Sequence, residues 1–400
     1  MSLLDSLLDD KIWQTFLKHK KESVLSNREL KKYENYINNK KYLEVANKVI
    51  NGEYKFSYPK RICINKIRKN KKRIVYLYKK EETYIFKMLV FLMYKYDYLF
   101  APNLYSFRQK SGTKKALSDL IRHHIKIKAA YKVDIKNYFN SIPVDKLLET
   151  LKDDLQDEKL YNLFYDILTN KKVISDGKVI EEEKGIMAGV PIASFLANYY
   201  LKDLDKYFYE KKITYCRYAD DIIVFDKKEK IPEHREYIIN FLEKKGLKIN
   251  TEKEFYYEVG EKIEFLGFSY EKGTIDLNEN SIKKIKGKIR RSARGLRRWM
   301  IKNNTPPTSP LKAMNKKYNK KFYGKEEDDL SWKYWFFPTI NTDKTLKIID
   351  AYMQDWQRYI VTGVHNKKNF EKVPYEMLKA TGYRSLVNEY YKYKNMCNKQ

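Results

Sequence analysis

Asp220 and Asp221 stand side by side between Tyr218-Ala219 and the apolar run Ile-Ile-Val-Phe of residues 222–225. Such flanks predict two short strands, with the acidic pair at the turn of a buried hairpin. Ionised aspartates beside a buried strand need a compensating charge, and a divalent cation supplies one. The plain alternative is an exposed turn that happens to be acidic, since Asp is ordinary in turns. A third carboxylate bears on the choice. In Tyr-Lys-Val-Asp-Ile-Lys-Asn-Tyr-Phe, residues 131–139, apolar Tyr131, Val133 and Ile135 alternate with Lys132, Asp134 and Lys136. That pattern is a half-buried strand with Asp134 on the face opposite the apolar set. Asp134 on one strand and Asp220-Asp221 on a neighbouring hairpin are what two-metal phosphoryl transfer requires, with two ions about 4 Å apart. Mg2+ suits so few carboxylates, with Mn2+ the alternative ion. The five histidines are scattered, and Cys63, Cys216 and Cys397 are too widely spaced for a zinc or disulfide framework.

The elements that must hold these acids follow from periodicity. Residues 1–56 read as a helical N-terminal extension, with Leu3-Leu4, Leu7-Leu8 and Ile12, Trp13, Phe16, Leu17 near helical spacing. Residues 58–78 read as strand, turn, strand around a cationic tip of Lys66, Arg68, Lys69, Lys71 and Lys72, and an apolar helix follows from about Glu82. Pro143 opens another helix. A hairpin-like element lies near Asp176-Gly177, and Gly185, Gly189 and Pro191 lead into a helix with Ala193 and Ala197 on one face. After the acidic hairpin come a helix of residues 232–246, ended by Gly246, and strands at 247–253 and 263–270. The order implies an α+β fold, an antiparallel sheet with helices on one face.

Composition narrows the class of partner. The chain of 400 residues carries a formal net charge of +30, which points to a polyanion such as nucleic acid. A compositional bias toward Lys, Asn, Ile and Tyr would raise the charge as well. The longest greasy stretch, residues 88–93, is too short to span a bilayer, so no membrane partner is expected. The N-terminus begins acidic and lacks a small-residue cleavage site, unlike a signal peptide. With no disulfide framework, a cytoplasmic protein is expected. Residues 282–299 form a helix with one apolar and one cationic face, the latter carrying Arg290, Arg291, Arg294, Arg297 and Arg298. A membrane-surface helix reads similarly, but attachment to a phosphate-handling core favours nucleic acid. Residues 303–330, with Pro306, Pro307 and Pro310, read as a linker, and 331–400 as a helical C-terminal extension.

Several segments, in order, resemble those of reverse transcriptases. Tyr218-Ala-Asp-Asp221 is similar to the Y-x-D-D box, and Asn103-Leu-Tyr-Ser-Phe-Arg108 to the N-x-Y-G-F-R segment, with Ser106 in place of the usual Gly. Residues 133–139 resemble the first metal-binding strand, and 195–201 the helix after the template-facing loop. Residues 247–253 resemble the lysine-bearing strand, and Phe265-Leu266-Gly267-Phe268 the primer-grip hairpin.

The resemblance implies a right-hand polymerase: fingers at 57–130, palm at 131–272 with finger-side helices at about 145–185, a basic thumb helix at 273–302, then the linker and extension. It implies Asp134 and Asp220 as main metal ligands, Asp221 in support, and Lys253 at the departing pyrophosphate. Lys72 and Arg73 would hold the triphosphate, with Ala188 and Gly189 beside the nucleotide. Phe139, five residues after Asp134, falls at the sugar gate, which implies dNTP selection against the 2′-hydroxyl. Arg108, Phe265, Leu266 and Gly267 join the thumb arginines as implied nucleic-acid contacts.

The family usually has P-Q-G where an ungapped match places Met187-Ala188-Gly189. The missing glutamine points toward non-standard templating or priming and resembles the unknown-group and abortive-infection bacterial enzymes, many of them antiphage. The partners implied are an RNA template or non-coding RNA, a DNA/RNA hybrid and dNTPs. The alternatives are a retron or group II intron-like enzyme, or a non-catalytic RNA-binding protein on the same scaffold. Val361-Thr-Gly363 matches the retron triplet but lies far downstream of the grip hairpin.

Overall fold

The half-apolar strand and the acidic hairpin lie in one antiparallel sheet of the computed structural model, which describes residues 2–22, 27–65, 72–109, 111–123, 125–324 and 331–397. In chain order the strands are β1 (Lys60–Asn65), β2 (Lys72–Leu77), β3 (Ala129–Asp134), β4 (Lys172–Ser175), β5 (Lys178–Glu181) and β6 (Thr214–Tyr218). Then come β7 (Asp221–Asp226), β8 (Phe255–Tyr257), β9 (Ile263–Phe265), β10 (Phe268–Glu271) and β11 (Thr274–Leu277). The chain divides into two compact units. One holds Met1–Lys20 and Asn27–Val259, the other chiefly Gly260–Gln400.

The sheet of the first unit runs β6-β7-β3-β8. Its register sets Tyr131 against Val224 and Val133 against Ile222, while Tyr215 and Arg217 continue the same face on β6. The helices Lys202–Glu210 and Ile231–Lys244 pack on this face. Phe208 stacks on Tyr215 at 4.5 Å, and the Arg217 and Tyr215 side chains both reach Asp205. Because side chains alternate, the same register sends Lys132, Asp134, Asp221 and Tyr218 to the other face.

A second sheet, β2-β1-β4-β5, joins the first hairpin to the one at Asp176-Gly177, through a parallel contact of Lys60 with Ile174. Arg61 of β1 pairs with Glu182 at 3.0 Å beyond β5. The expected cationic tip falls on residues 66–71, outside the described residues, and Lys72 begins β2. The N-terminal helices Asp10–Glu22, Asn27–Asn38 and Leu43–Ile50 close over Lys80–Leu92 through rings: Trp13 stacks on Tyr42 at 4.4 Å, and Phe16 meets Phe91 at 5.5 Å.

The second unit corrects two boundaries. The grip hairpin leaves the expected 131–272 segment, because β9, β10 and β11 pair only with one another among the described residues and the unit begins at Gly260. Residues 303–330 are not a linker throughout. Thr308–Tyr323 is a helix whose Leu311, Met314, Tyr318 and Phe322 recur at helical spacing and are all buried. Pro310 lies in its first turn, where a missing N–H has no intrahelical partner to lose. It packs on Glu279–Lys302, which also packs on Lys344–Thr362. At the end of the latter helix Gly363 has φ 82°, a C-terminal cap that gives Val361-Thr-Gly363 a local structural role.

Candidate active site

The acidic turn is made by Ala219 and Asp220 between β6 and β7, with Ala219 in the left-handed region at φ 57°. Tyr218 faces Asp221 across it, and Asp221 faces Asp134 on β3. The Ile135 amide donates to the Asp220 carbonyl at 3.0 Å, which extends the β3 contact to the turn. One carboxylate oxygen from each of Asp134, Asp220 and Asp221 lies within 4.8 Å of the others. The fold thus brings together the three acids that the sequence singled out.

Three carboxylates at this separation repel one another, and burial sharpens the repulsion. Burial first, then the Asp220 charge, lifts the Asp221 carboxyl to about 6. Burial and then Asp134 raise Asp220 as well, against the opposing pull of Lys253 and Arg73. Lys253 forms an ion pair with one Asp134 oxygen, and the Asn250 side chain donates through Nδ2 to the other at 3.2 Å. Lys132 acts on Asp221 as well, yet both carboxyls of the turn stay raised, and an all-oxygen donor set of this kind is what a hard divalent ion takes. The residues fit such an ion.

Lys253 arrives on a turn and not on the expected strand. The Asn250 amide donates to the Asp134 carbonyl at 2.7 Å, and Thr251–Lys253 then makes a 3-10 turn. The strand that pairs with β3 at this edge is β8, a few residues later.

The residues expected around a nucleotide come from separate segments that hydrogen bonds tie to one another. Lys72 and Arg73 are exposed on β2, and the charge of Arg73 is felt at Asp220. Phe139 is half-buried, its ring edge-on to Phe107 at 6.3 Å. Asn140 ties the turn after β3 to the other two segments. Its amide nitrogen donates to the Ile74 carbonyl at 3.2 Å, and its oxygen accepts the Ala188 amide at 2.9 Å. The Ala188 carbonyl in turn accepts the Tyr76 amide at 2.8 Å. Gly189, at φ 100°, lies so close to β2 that a Cβ would sit 3.2 Å from the Tyr76 carbonyl. The loop that lacks the family's glutamine is thus latched through its backbone.

Other expected residues are placed differently. Arg108 spends its guanidinium inside the first unit, pairing with Asp97 at 2.7 Å and donating to the Ala101 carbonyl at 2.7 Å. In the second unit Phe265 is buried, while Leu266 and Gly267, at φ 49° and 91°, form the two-residue turn of the β9–β10 hairpin. Arg290, Arg291, Arg294 and Arg298 are exposed on Glu279–Lys302. Arg297 instead donates to the Ile360 and Val361 carbonyls at 3.0 and 3.2 Å.

Sequence reasoning missed the buried support beneath the acidic turn. Arg217 is fully buried and pairs with Asp205, Nε to Oδ1 at 2.8 Å and Nη2 to Oδ2 at 2.5 Å. Segment 103–106 runs along β6: the Arg217 amide donates to Asn103, and the Tyr105 amide donates to Arg217, both at 3.1 Å. Ser106 and Asn198 sit buried beside the turn. The available signal was an arginine inside an otherwise apolar strand, which implies a buried acid elsewhere.

No curated protein sequence matches the chain. Among solved structures, the apo telomerase from Candida tropicalis truncated from its C-terminal domain is similar at TM-score 0.45 and 13% identity, over 56% of this chain and 55% of that one. The chain thus spans little more than half the length of that relative. The telomerase from Candida albicans, in complex with a TWJ fragment of telomeric RNA, is similar at TM-score 0.44 and 12% identity, over 90% of this chain and 70% of that one. Family membership rests on the sequence pattern described as Reverse transcriptase (RNA-dependent DNA polymerase), which matches residues 59–270 and so includes all three acids and the segments tied together through Asn140 and Ala188. The chain belongs to the reverse transcriptase family.

Proposed function

We propose that the protein is an RNA-directed DNA polymerase that extends a 3′-hydroxyl with dNTPs, using two Mg2+ ions. The observation that carries the reading is the convergence of Asp134, Asp220 and Asp221. Bound there, two divalent ions would assist ionisation of the attacking hydroxyl and stabilise the departing pyrophosphate. The chain's own groups do the rest. The three acids hold the ions, Arg73 and Lys72 neutralise the triphosphate, and Phe139 shuts out a ribose 2′-hydroxyl. Lys253, released from Asp134, screens the leaving phosphates. We assign the activity to a cytoplasmic antiphage system with non-standard templating or priming, supported by the Met187-Ala188-Gly189 departure and by three free cysteines. The partners are an RNA template or non-coding RNA and its DNA hybrid.

Primer extension with Mg2+ tests this, using dNTPs and NTPs separately and with template or primer withheld in parallel reactions. Asp220→Asn should lower incorporation by about 100-fold or more, as loss of several kcal/mol of charge stabilisation implies. An Asp220→Asn protein as active as the wild type would refute the assignment.

A further inference from the structure

We propose that Ser106 is a positioning residue for the metal-holding turn, fixing Ala219 and through it the Asp220 carboxylate. Ala219 is a non-glycine residue at φ 57° whose amide lies beyond the last β6–β7 pair, Tyr218 with Asp221. That amide is buried from water and has no ladder partner, so an acceptor must come from elsewhere. The Ser106 hydroxyl is that acceptor, at 2.9 Å, on a residue with no exposed surface.

The hydroxyl is itself aimed. It donates to the Asn198 carbonyl oxygen at 3.1 Å, and the Asn198 amide donates back to the Ser106 carbonyl at 2.8 Å. Asn198 is tied in turn to the buried ion pair, since its backbone carbonyl accepts from Arg217 Nη2 at 3.1 Å. On the far side of the turn the Asp220 carbonyl is held by the Ile135 amide. Ala219 lies between these anchored neighbours with its own carbonyl accepting from Arg217 Nη1 at 3.4 Å, and the Ser106 contact at its amide completes the orientation that sets where the Asp220 side chain leaves the backbone. The glycine usual in the resembling N-x-Y-G-F-R segment has no side-chain acceptor. In this chain the serine hydroxyl supplies that acceptor. It acts through the backbone and touches no reacting atom.

The inference rests on the polymerase reading for its kinetic arm only. The test uses the full-length chain with Ser106→Ala, Ser106→Gly and Ser106→Thr. Mn2+ affinity is read by electron paramagnetic resonance without nucleotide, and dNTP incorporation is read separately, with folding checked by thermal melting. Ala and Gly should weaken Mn2+ binding and lower kcat by about tenfold each, the effect typical of losing an outer-shell partner. KM for dNTP should stay near the wild-type value, because nothing on the nucleotide side changes. Thr retains the hydroxyl and should stay near wild type in Mn2+ affinity. Folded Ala and Gly variants with wild-type Mn2+ affinity would overturn the inference, whether or not their kcat fell, as would a raised KM with unchanged Mn2+ binding. A wild-type chain that binds Mn2+ but incorporates no dNTP would overturn the polymerase reading and leave the Mn2+ arm to decide on Ser106.

Discussion

Asp221 carries its charge against its surroundings. Its carboxyl sits at about 6 in the folded chain against an ordinary value of 3.8. Between those values the folded state holds a proton that the unfolded state has released, so the metal-free protein loses stability as pH rises through this window. The rise is equivalent to about 3 kcal/mol at most, fully lost above the upper value. In EDTA at pH 7.5, Asp221→Asn should therefore raise the melting temperature by a few degrees, and the gain should shrink toward pH 5. Added Mg2+ should reverse the order, stabilising the wild type and not the variant. Phe139 makes the second prediction at this scale. Phe139→Ala should relax discrimination against NTPs by about 10–100-fold, the range over which an apolar wall rejects one hydroxyl. Competitive incorporation of matched dNTP and NTP measures it.

The elements matter through how tightly they are latched. Gly185, at φ 51°, leads into the 187–189 loop, and a Cβ there would stand 2.6 Å from the Phe139 carbonyl. Gly185→Ala should cost about 1–3 kcal/mol, from strain at a left-handed position and displaced backbone. Because the displaced backbone carries Phe139, the KM for dNTP should rise too, measurable by steady-state extension. In the second unit the helix Thr308–Tyr323 stands on buried Leu311 and Met314. Leu311→Ala should destabilise that unit by about 2–5 kcal/mol, the usual range for a core Leu truncation, read by chemical denaturation. A real linker would tolerate the change.

Across the whole molecule, the charge of +30 is concentrated. Residues 280–324 hold fifteen Lys and Arg and no acid. Replacing Arg290, Arg291, Arg294 and Arg298 with Gln should flatten the slope of log affinity against log salt by about 2–4 for an RNA–DNA hybrid, as counterion release requires. Fluorescence anisotropy between low and physiological salt measures it. Among the described residues no helix is long and apolar enough to cross a membrane.

The sequence by itself determined the acids and the strands that carry them. A period of two around Asp134 and an apolar run after Asp221 are local signals, and local signals survive without neighbours. It also made the cationic face of Glu279–Lys302 legible, because helical spacing repeats within a few turns. Only the tertiary structure decided what lies more than a turn or two away in the chain. The prolines at 306, 307 and 310 looked like a linker until packing on Glu279–Lys302 rewarded the apolar face behind them. Arg108, a nucleic-acid contact by resemblance, pairs with Asp97, which lies eleven residues earlier in the chain. Ser106, Asn198, Arg217 and Asp205 are scattered across more than a hundred residues, and they converge under the acidic turn because a buried polar group must find its partner wherever the fold delivers one. Residue type announced that the partners existed, and three-dimensional proximity alone named them.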